Sequence, residues 1–315
     1  MAHALNSTNS RYTDICDEPV EKLLTPISGH QYQPLVSLEE AVEPIDHLFN
    51  DLRDYVLVAK HNCRNPDEGL TQDESAARER PLRTSSGKMA FFSKVLHDEW
   101  LRIHLYTMQF DSGPSLYKIL NETLRAENRD NLKDWFLFLK LFLSALEKLP
   151  SAAQSVYRGV KDVDLSDKYI NGEKFVWWGV SSCTLNIEVL QSEQFLGKFG
   201  KRTLFSIDSK NSKSIITHSY YKKLEKEVIL MPGTYLEVVG KIDANNGLHI
   251  IQLKEMEPPI KFVKPANKIQ MGESTQLIQN MKLMEKNPVL GLYLDDFYFS
   301  PGYLMEAVIM EFYKR

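Results

Sequence analysis

Cysteine is scarce in this sequence, and the few cysteines lie far apart. Cys16, Cys63 and Cys183 are odd in number and show no regular spacing. A disulfide framework needs cysteines in pairs, and a zinc site needs cysteine or histidine ligands at short intervals. We therefore expect neither a disulfide-stapled fold nor a metal site.

Long apolar runs are also absent. The longest apolar stretch, Trp135 to Leu146, is interrupted by Lys140. It is shorter than the roughly 20 residues that a helix needs to span a bilayer. The first residues, Met1 to Asp14, contain no apolar run of the kind found in secretory signals. We therefore expect no signal peptide, no transmembrane segment, no membrane partner, and a cytoplasmic or nuclear location.

Positive charge is not in excess. The chain has 38 Lys and Arg against 42 Asp and Glu, which gives a formal net charge of −4. General nucleic-acid binders carry a basic field, so we expect no nucleic-acid partner. The composition does not predict an oligomeric state.

Helical and strand-like patterns divide the chain. From Ser37, apolar residues recur at helical spacing as far as Pro150. After Pro150, short β-branched and aromatic runs alternate with turn residues. Helices followed by strands indicate an α+β fold. We expect an irregular N-terminal extension (1–36), one domain (37–259) with a helical lobe (37–150) and a strand-rich core (151–259), and a C-terminal tail (260–315).

The helical lobe contains three predicted helices: one from Ser37, one opened by Gly113-Pro114-Ser115, and one over Asn131–Leu149. Between the first two, the basic stretch Arg78–Arg102 looks foreign to its surroundings, and we expect an exposed and dispensable loop. Further helices are predicted at Ile187–Phe195, Ser274–Glu285 and Tyr303–Tyr313.

The strand-rich core contains seven predicted strands. The last two are joined by Asn245-Asn246-Gly247, whose residue types tolerate the positive φ angles of a hairpin turn. The predicted strands are Ser155–Gly159, Lys174–Val180, Thr203–Asp208, Ser214–His218, Glu227–Leu230, Thr234–Ile242 and Leu248–Glu255.

An arginine and a cluster of hydroxyl residues lie at predicted strand ends. Arg158 precedes Gly159; a guanidinium pairs with phosphate oxygens, and a glycine lets a ligand approach the backbone. An exposed arginine on an edge strand is the alternative. Ser182 and Thr184 either cap the next helix or hydrogen-bond a ligand or a carboxylate. Cys183, between them, has no evident histidine partner, so we expect a buried, inert thiol.

Two glutamates form a candidate catalytic pair. Glu225 and Glu227 are two residues apart, and positions i and i+2 of a strand share a face. They form either a solvated, charged edge or a pair that cleaves a bond between nicotinamide and ribose, with one stabilising an oxocarbenium ion and the other orienting a nucleophile. Phe195 either stacks on a nicotinamide ring or belongs to the core.

Taken together, these motifs resemble those of a known enzyme class. The order Arg158-Gly159, Ser182-Cys183-Thr184, Glu225-Lys226-Glu227 is similar to that of the arginine-specific, R-S-E class of mono-ADP-ribosyltransferases. That family has an arginine on its first strand, then Ser-Thr-Ser, then Glu-x-Glu before an apolar strand. Thr203–Ile207 and Ser219-Tyr220 add to the likeness. The chain departs from the family in having Ser-Cys-Thr where the family has Ser-Thr-Ser.

The resemblance implies a fold and a set of roles. NAD would lie between two small sheets, with the helical lobe on one side. NAD or NADP would be the co-substrate, with Arg158 on the phosphates, Phe195 facing the nicotinamide, and Gly159, Ser182 and Thr184 completing the cofactor site. The catalytic residues would be Glu227 on the oxocarbenium ion, Glu225 on the acceptor, and Ser182 on the nicotinamide ribose or on Glu227.

The implied function is transfer of ADP-ribose from NAD to an exposed arginine of an acceptor protein, with release of nicotinamide. Two other interpretations stay open. An NAD glycohydrolase would pass the same group to water. A catalytically silent member would bind a partner through its helical lobe and tail.

Overall fold

The computed structural model describes residues 14–20, 22–64, 101–193, 195–221 and 225–266. The helices predicted at Ser274–Glu285 and Tyr303–Tyr313 lie outside these residues, as does most of Arg78–Arg102. Within the described ranges, no helix combines the length and apolar character needed to cross a membrane.

Four α-helices with both ends defined precede the strands in the described ranges. The first begins after Ser37, whose hydroxyl accepts the N–H of Glu40 at 3.3 Å while the Glu40 carboxylate accepts the N–H of Ser37. This capping box confirms the predicted helix start. Residues 101–107 are also helical. The helices are α1 (Leu38–Val42), α2 (Leu52–Arg64), α3 (Leu116–Arg125) and α4 (Phe136–Lys148), with short 3-10 turns at His30–Tyr32, Glu43–Leu48 and Arg129–Leu132.

Among the described residues, seven strands follow and form one hydrogen-bonded sheet. They are β1 (Ser151–Lys161), β2 (Lys174–Trp177), β3 (Ser181–Thr184), β4 (Arg202–Ser214), β5 (Glu227–Leu230), β6 (Thr234–Asp243) and β7 (Leu248–Glu255). Their order is β1-β3-β5-β4-β7-β6-β2, with β1 also pairing with β4. All pairs are antiparallel except β4–β7. The predicted α+β fold is confirmed.

The resemblance implies two small sheets. In the structure the long strand β4 belongs to both parts and connects them into one sheet. Its residues from Arg202 to Asp208 pair with β7, and its last two, Lys213 and Ser214, pair with β5. Strand β1 pairs with both β3 and β4. Strands β1, β3, β5 and β4 therefore form a closed ring, in which each strand pairs with two others.

Both faces of β5 are covered. Successive strand residues point to opposite faces, and Val228 and Ile229 accordingly lie in two different apolar clusters. Ile229 packs in the cluster that contains α4 and Trp178, whereas Val228 packs in the sheet cluster with Trp177 and other strand residues. This burial on both sides explains why β5 reads as a continuous apolar run.

Three local predictions need correction. The strand predicted at Lys174–Val180 ends at Trp177. The next two N–H groups, of Trp178 and Gly179, donate to the Glu18 carboxylate instead of to a neighbouring strand. The sequence did not predict the separate strand β3. The strand predicted at Ser214–His218 is the end of β4 followed by a turn, in which the N–H of His218 donates to Ile215.

The helix predicted at Ile187–Phe195 is a single 3-10 turn at Ile187–Gln191, because Phe195 and Leu196 fold back to pack with Leu190.

The end of the basic stretch Arg78–Arg102 is not exposed. Leu101 and Arg102 are buried, and Nη1 of Arg102 donates to the carbonyl of Leu141 in α4 at 3.2 Å. The prediction of an exposed loop is therefore wrong for these two residues, because Leu101 packs in the core cluster of the helices and Arg102 bonds to α4.

Candidate functional site

The ring of four strands brings the sequence-predicted residues together. Arg158 lies on β1, Ser182 on β3 and Glu227 at the start of β5, and Thr184 pairs with both Tyr157 and Glu227. Nη1 of Arg158 donates a hydrogen bond to the main-chain carbonyl of Ser182, 3.2 Å away. Exposure is 1% for Arg158, 1% for Ser182 and 0% for Glu227, so these polar side chains are fully enclosed.

The two glutamates occupy different structural positions. Glu227 begins β5, and its carbonyl accepts the N–H of Ile215 at 3.1 Å. Glu225 precedes the strand, and its carbonyl accepts the hydroxyl of Thr184 at 2.7 Å. Between them Lys226 has φ +45°, in the left-handed region. The prediction that strand geometry puts both carboxylates on one face is therefore wrong, because a left-handed residue interrupts the alternation.

The solvated, charged edge is also excluded. Glu225 is 5% exposed and Glu227 is fully buried. Burial of a carboxylate is costly unless hydrogen bonds or charges compensate. Oε2 of Glu227 accepts the hydroxyl of Ser219 at 2.6 Å, which is one such compensation.

The hydroxyl of Ser182 is buried without a hydrogen bond in the described part of the chain. Its Oγ is buried and has no hydrogen-bond partner among the residues that the structure describes. Buried hydroxyl groups are nearly always paired, so an unpaired one indicates a missing partner. The Arg158 guanidinium contacts the main-chain carbonyl of the same residue, so both polar groups lie at β3.

The remaining predicted cofactor residues have protein contacts in this structure. A Cβ on Gly159 would lie 2.9 Å from Cβ of Leu196, so this glycine permits close packing of Leu196 on β1. Phe195 is 4% exposed and packs in a small apolar cluster with Leu190 and Leu196. The Thr184 hydroxyl bonds the Glu225 carbonyl, as described above. Their predicted roles toward NAD stay predictions.

The sequence model of the NAD:arginine ADP-ribosyltransferase family matches residues 64–258, which is more than half of the chain and includes Arg158, Ser182 and Glu227. The chain belongs to this family. Membership in the family does not identify an acceptor.

The solved structures that are similar to this chain include three bacterial proteins, two of which are named as ADP-ribosyltransferases. The Vis toxin of Vibrio splendidus is 19% identical, with 72% of this chain and 90% of that chain covered and a TM-score of 0.40. HopU1 of Pseudomonas syringae pv. tomato DC3000 is 19% identical, with 65% and 97% covered, at 0.40. The C3 exoenzyme of Clostridium limosum is 16% identical, with 56% and 98% covered, at 0.40.

A curated protein that is not named as an ADP-ribosyltransferase matches part of this chain. Aspartate–ammonia ligase of Clostridium perfringens is 27% identical over 176 residues, which is 50% of this chain and 51% of the ligase. The chain thus spans about half the length of the curated relatives it matches. A partial match at this identity assigns no activity to the chain.

Cys183, the middle residue of the Ser-Cys-Thr motif, is a buried thiol, as the sequence predicted. The residue is 0% exposed, and burial raises the pKa of its thiol to about 12. The thiol is therefore protonated at neutral pH, and a protonated thiol is a poor nucleophile. Across the described ranges, no group of three or more His, Cys, Asp or Glu residues is arranged to hold a metal ion.

The helical layer of this transferase-family chain holds the backbone of the site, a contribution that the motifs did not reveal. Asn121 of α3 accepts the N–H of Val180 at 2.8 Å and donates to its carbonyl at 3.0 Å, and the Tyr106 hydroxyl donates to the same carbonyl at 3.0 Å. Oγ1 of Thr107 accepts the N–H of Tyr220 at 2.7 Å. The available signal was polar Asn121, four residues before Arg125, beside the apolar stripe of α3.

A buried carboxylate from the N-terminal segment also supports the β2–β3 connection. Oε1 of Glu18 accepts the N–H groups of Trp178 and Gly179 at 2.9 and 3.0 Å. Burial raises the pKa of Glu18 to about 7, against the opposing effect of these hydrogen bonds and of Arg125. Arg125 in turn pairs with Asp14 at 2.7 Å. The N-terminal segment from Asp14 to Glu18 is therefore bonded at one end to Arg125 of α3 and at the other to the connection between β2 and β3.

Proposed function

We propose that this chain transfers ADP-ribose from NAD to an arginine side chain of an acceptor protein and releases nicotinamide. The observation that carries the proposal is the meeting of Arg158, Ser182 and Glu227 on three neighbouring strands in a fully buried polar site. Family membership supports the reaction type.

NAD supplies an ADP-ribosyl group joined to a nicotinamide that is already cationic and leaves with the bonding electrons without being protonated. A guanidinium has five N–H donors in a planar fork, so the bond from Arg158 to the Ser182 carbonyl is compatible with a second role on phosphate oxygens. The unpaired hydroxyl of Ser182 is suited to a ribose hydroxyl. Both contacts would hold the ribose in line for cleavage.

Glu227 is suited to stabilise the positive charge that develops on the ribose. Its carboxylate is enclosed and oriented by Ser219, and a fixed charge in a water-poor site acts strongly on a developing charge. This preorganised interaction would favour the transition state over the ground state.

Glu225 is suited to the acceptor. An arginine side chain has a pKa above about 12 and is charged at neutral pH. As its nitrogen forms the new bond to the ribose carbon, it must lose a proton, and a nearby carboxylate can hold the guanidinium and accept that proton. Glu225 lies outside β5 and is separated from Glu227 by the left-handed Lys226, so the alternation of the strand does not tie its side chain to that of Glu227.

Incubation of the purified chain with labelled NAD, with and without agmatine as a small guanidine acceptor, tests the proposal. We expect label on agmatine and release of nicotinamide. Free ADP-ribose in both reactions would instead indicate an NAD glycohydrolase, and intact NAD would indicate a silent member of the family. A parallel incubation with NADP shows which dinucleotide is used.

A further inference from the structure

A second serine, outside the Ser-Cys-Thr motif, contacts the catalytic carboxylate. Ser219 lies in the turn between β4 and β5, eight residues before Glu227, and is 1% exposed. Its Oγ lies 2.6 Å from Oε2 of Glu227. A bond this short is typical of a hydroxyl that donates to an ionised carboxylate.

The surroundings of Ser219 orient its single proton. Oγ of Ser219 accepts the N–H of Tyr221 at 3.3 Å. The N–H of Ser219 donates to the carbonyl of Ile215 at 2.8 Å, and the next N–H, of Tyr220, donates to Thr107. A hydroxyl has one donor, so a Ser219 oxygen that accepts from Tyr221 has its proton directed to Glu227.

The two serines of the site therefore have different surroundings. The sequence left two roles open for Ser182, toward the nicotinamide ribose or toward Glu227. In the structure Ser219 donates to the Glu227 carboxylate, while Oγ of Ser182 has no partner in the described part of the chain. The carboxylate contact is thus present without any contribution from the Ser182 hydroxyl.

We propose that Ser219 is a positioning residue for Glu227 in NAD cleavage, and that this arrangement leaves Ser182 to bind the substrate. The proposal rests on the function proposed above. Ser219 acts through Glu227 and touches no reacting atom. It fixes the carboxylate at the point where charge develops on the ribose, whichever acceptor takes the ADP-ribose.

The test compares Ser219→Ala with Thr217→Ala. Thr217 is an exposed hydroxyl residue in the same turn, and its Oγ1 lies 2.7 Å from Nδ1 of His218. We expect Ser219→Ala to lower kcat for nicotinamide release by about 10- to 100-fold, the range for one lost hydrogen bond to a charged group. The loss should be equal with water and with agmatine, and the dissociation constant for NAD should stay unchanged. Ser182→Ala should weaken NAD binding, and Thr217→Ala should behave as the unmodified chain.

A double-mutant cycle with Glu227→Gln separates positioning from general loosening of the fold. If Ser219 acts through the carboxylate, Ser219→Ala should cost much less in the Glu227→Gln background than alone. An equal loss in both backgrounds, or an unchanged kcat for Ser219→Ala, would overturn the inference. If Ser219→Ala does not fold, Ser219→Cys keeps a weaker donor, and an unchanged kcat for that variant would overturn the inference as well. No cleavage by the unmodified chain would refute the proposed function itself.

Discussion

The hydroxyl of Thr184 donates a hydrogen bond to the main-chain carbonyl of Glu225, with 2.7 Å between the two oxygens. This bond links the end of β3 to a residue two positions before β5. It fixes the backbone of Glu225, although Glu225 lies outside the strand ladder and is followed by the left-handed Lys226. The Thr184 side chain therefore supports the backbone of Glu225, the residue that we propose engages the acceptor.

Replacement of Thr184 should separate transfer from hydrolysis. Thr184→Val keeps the shape and leaves the Glu225 carbonyl without this donor, which costs about 1–3 kcal/mol for a buried group. We expect transfer to agmatine to fall more than nicotinamide release without an acceptor, because the change displaces Glu225 more than Glu227. Thr184→Ser keeps the hydroxyl and should retain both activities. Equal losses of the two activities in Thr184→Val would contradict the assigned link.

The two glutamates should respond differently to the same substitution. Glu225→Gln should lose transfer to agmatine and retain NAD hydrolysis, because neutral water can attack with a free lone pair and lose its proton afterwards, whereas a charged guanidinium has to give up a proton as it attacks. Glu227→Gln should lose both by roughly 10²-fold or more, the loss seen when one preorganised electrostatic group is removed. Product analysis with labelled NAD checks both. Transfer that survives in Glu225→Gln would show that the acceptor is not a guanidine or that another group holds it.

Arg158→Lys should weaken NAD binding more than it slows the chemical step. The substitution keeps the charge and removes the planar fork that pairs with phosphate oxygens. We expect the dissociation constant to rise roughly tenfold or more, as for the loss of one charge-assisted bond. Titration calorimetry measures this, with a thermal melt to show that the loss of the bond to Ser182 has not unfolded the site. An unchanged affinity would leave Arg158 with a role in joining β1 to β3 only.

Glu18 should make the stability of the fold depend on pH. Its pKa in the folded state, about 7, lies above the ordinary value of 4.5 because the carboxyl is buried. The folded state thus binds more protons than the unfolded state between these values. The contribution of Glu18 to stability is full below pH 4.5 and is lost as pH rises through 7, by an amount on the order of 3 kcal/mol.

Denaturant unfolding of the unmodified chain and of Glu18→Gln at pH 5 and pH 8 measures this effect. A glutamine oxygen can still accept the N–H groups of Trp178 and Gly179, so the variant is a matched control. We expect the unmodified chain to lose stability relative to Glu18→Gln as the pH rises. Parallel pH dependence of the two proteins would mean that Glu18 has an ordinary pKa.

Local sequence patterns determined the elements whose signals lie within a few residues. The hairpin at Asn245-Asn246-Gly247 is confirmed, and all three residues have positive φ, which these residue types tolerate. The capping box at Ser37 and the bounds Glu227–Leu230 and Leu248–Glu255 are likewise as predicted. In each case the physical cause is local: a side chain that caps its own helix, a turn residue, or a short run or alternation of apolar side chains.

Only the tertiary structure decided how the site is built. The sequence contained Arg158, Ser182 and Glu227 in order, but their placement on neighbouring strands depends on the pairing of β3 with β1 and with β5, which are distant along the chain. The contact of Ser219 with Glu227 depends on a turn that the pattern predicted as a strand. Periodicity reports on which face of an element is buried and carries no information about the partner strand or about a single left-handed residue such as Lys226. Long-range strand pairing and burial therefore decided the geometry of the site. The free energies of pairing and burial arise between residues that are far apart in the sequence, so local patterns do not report them.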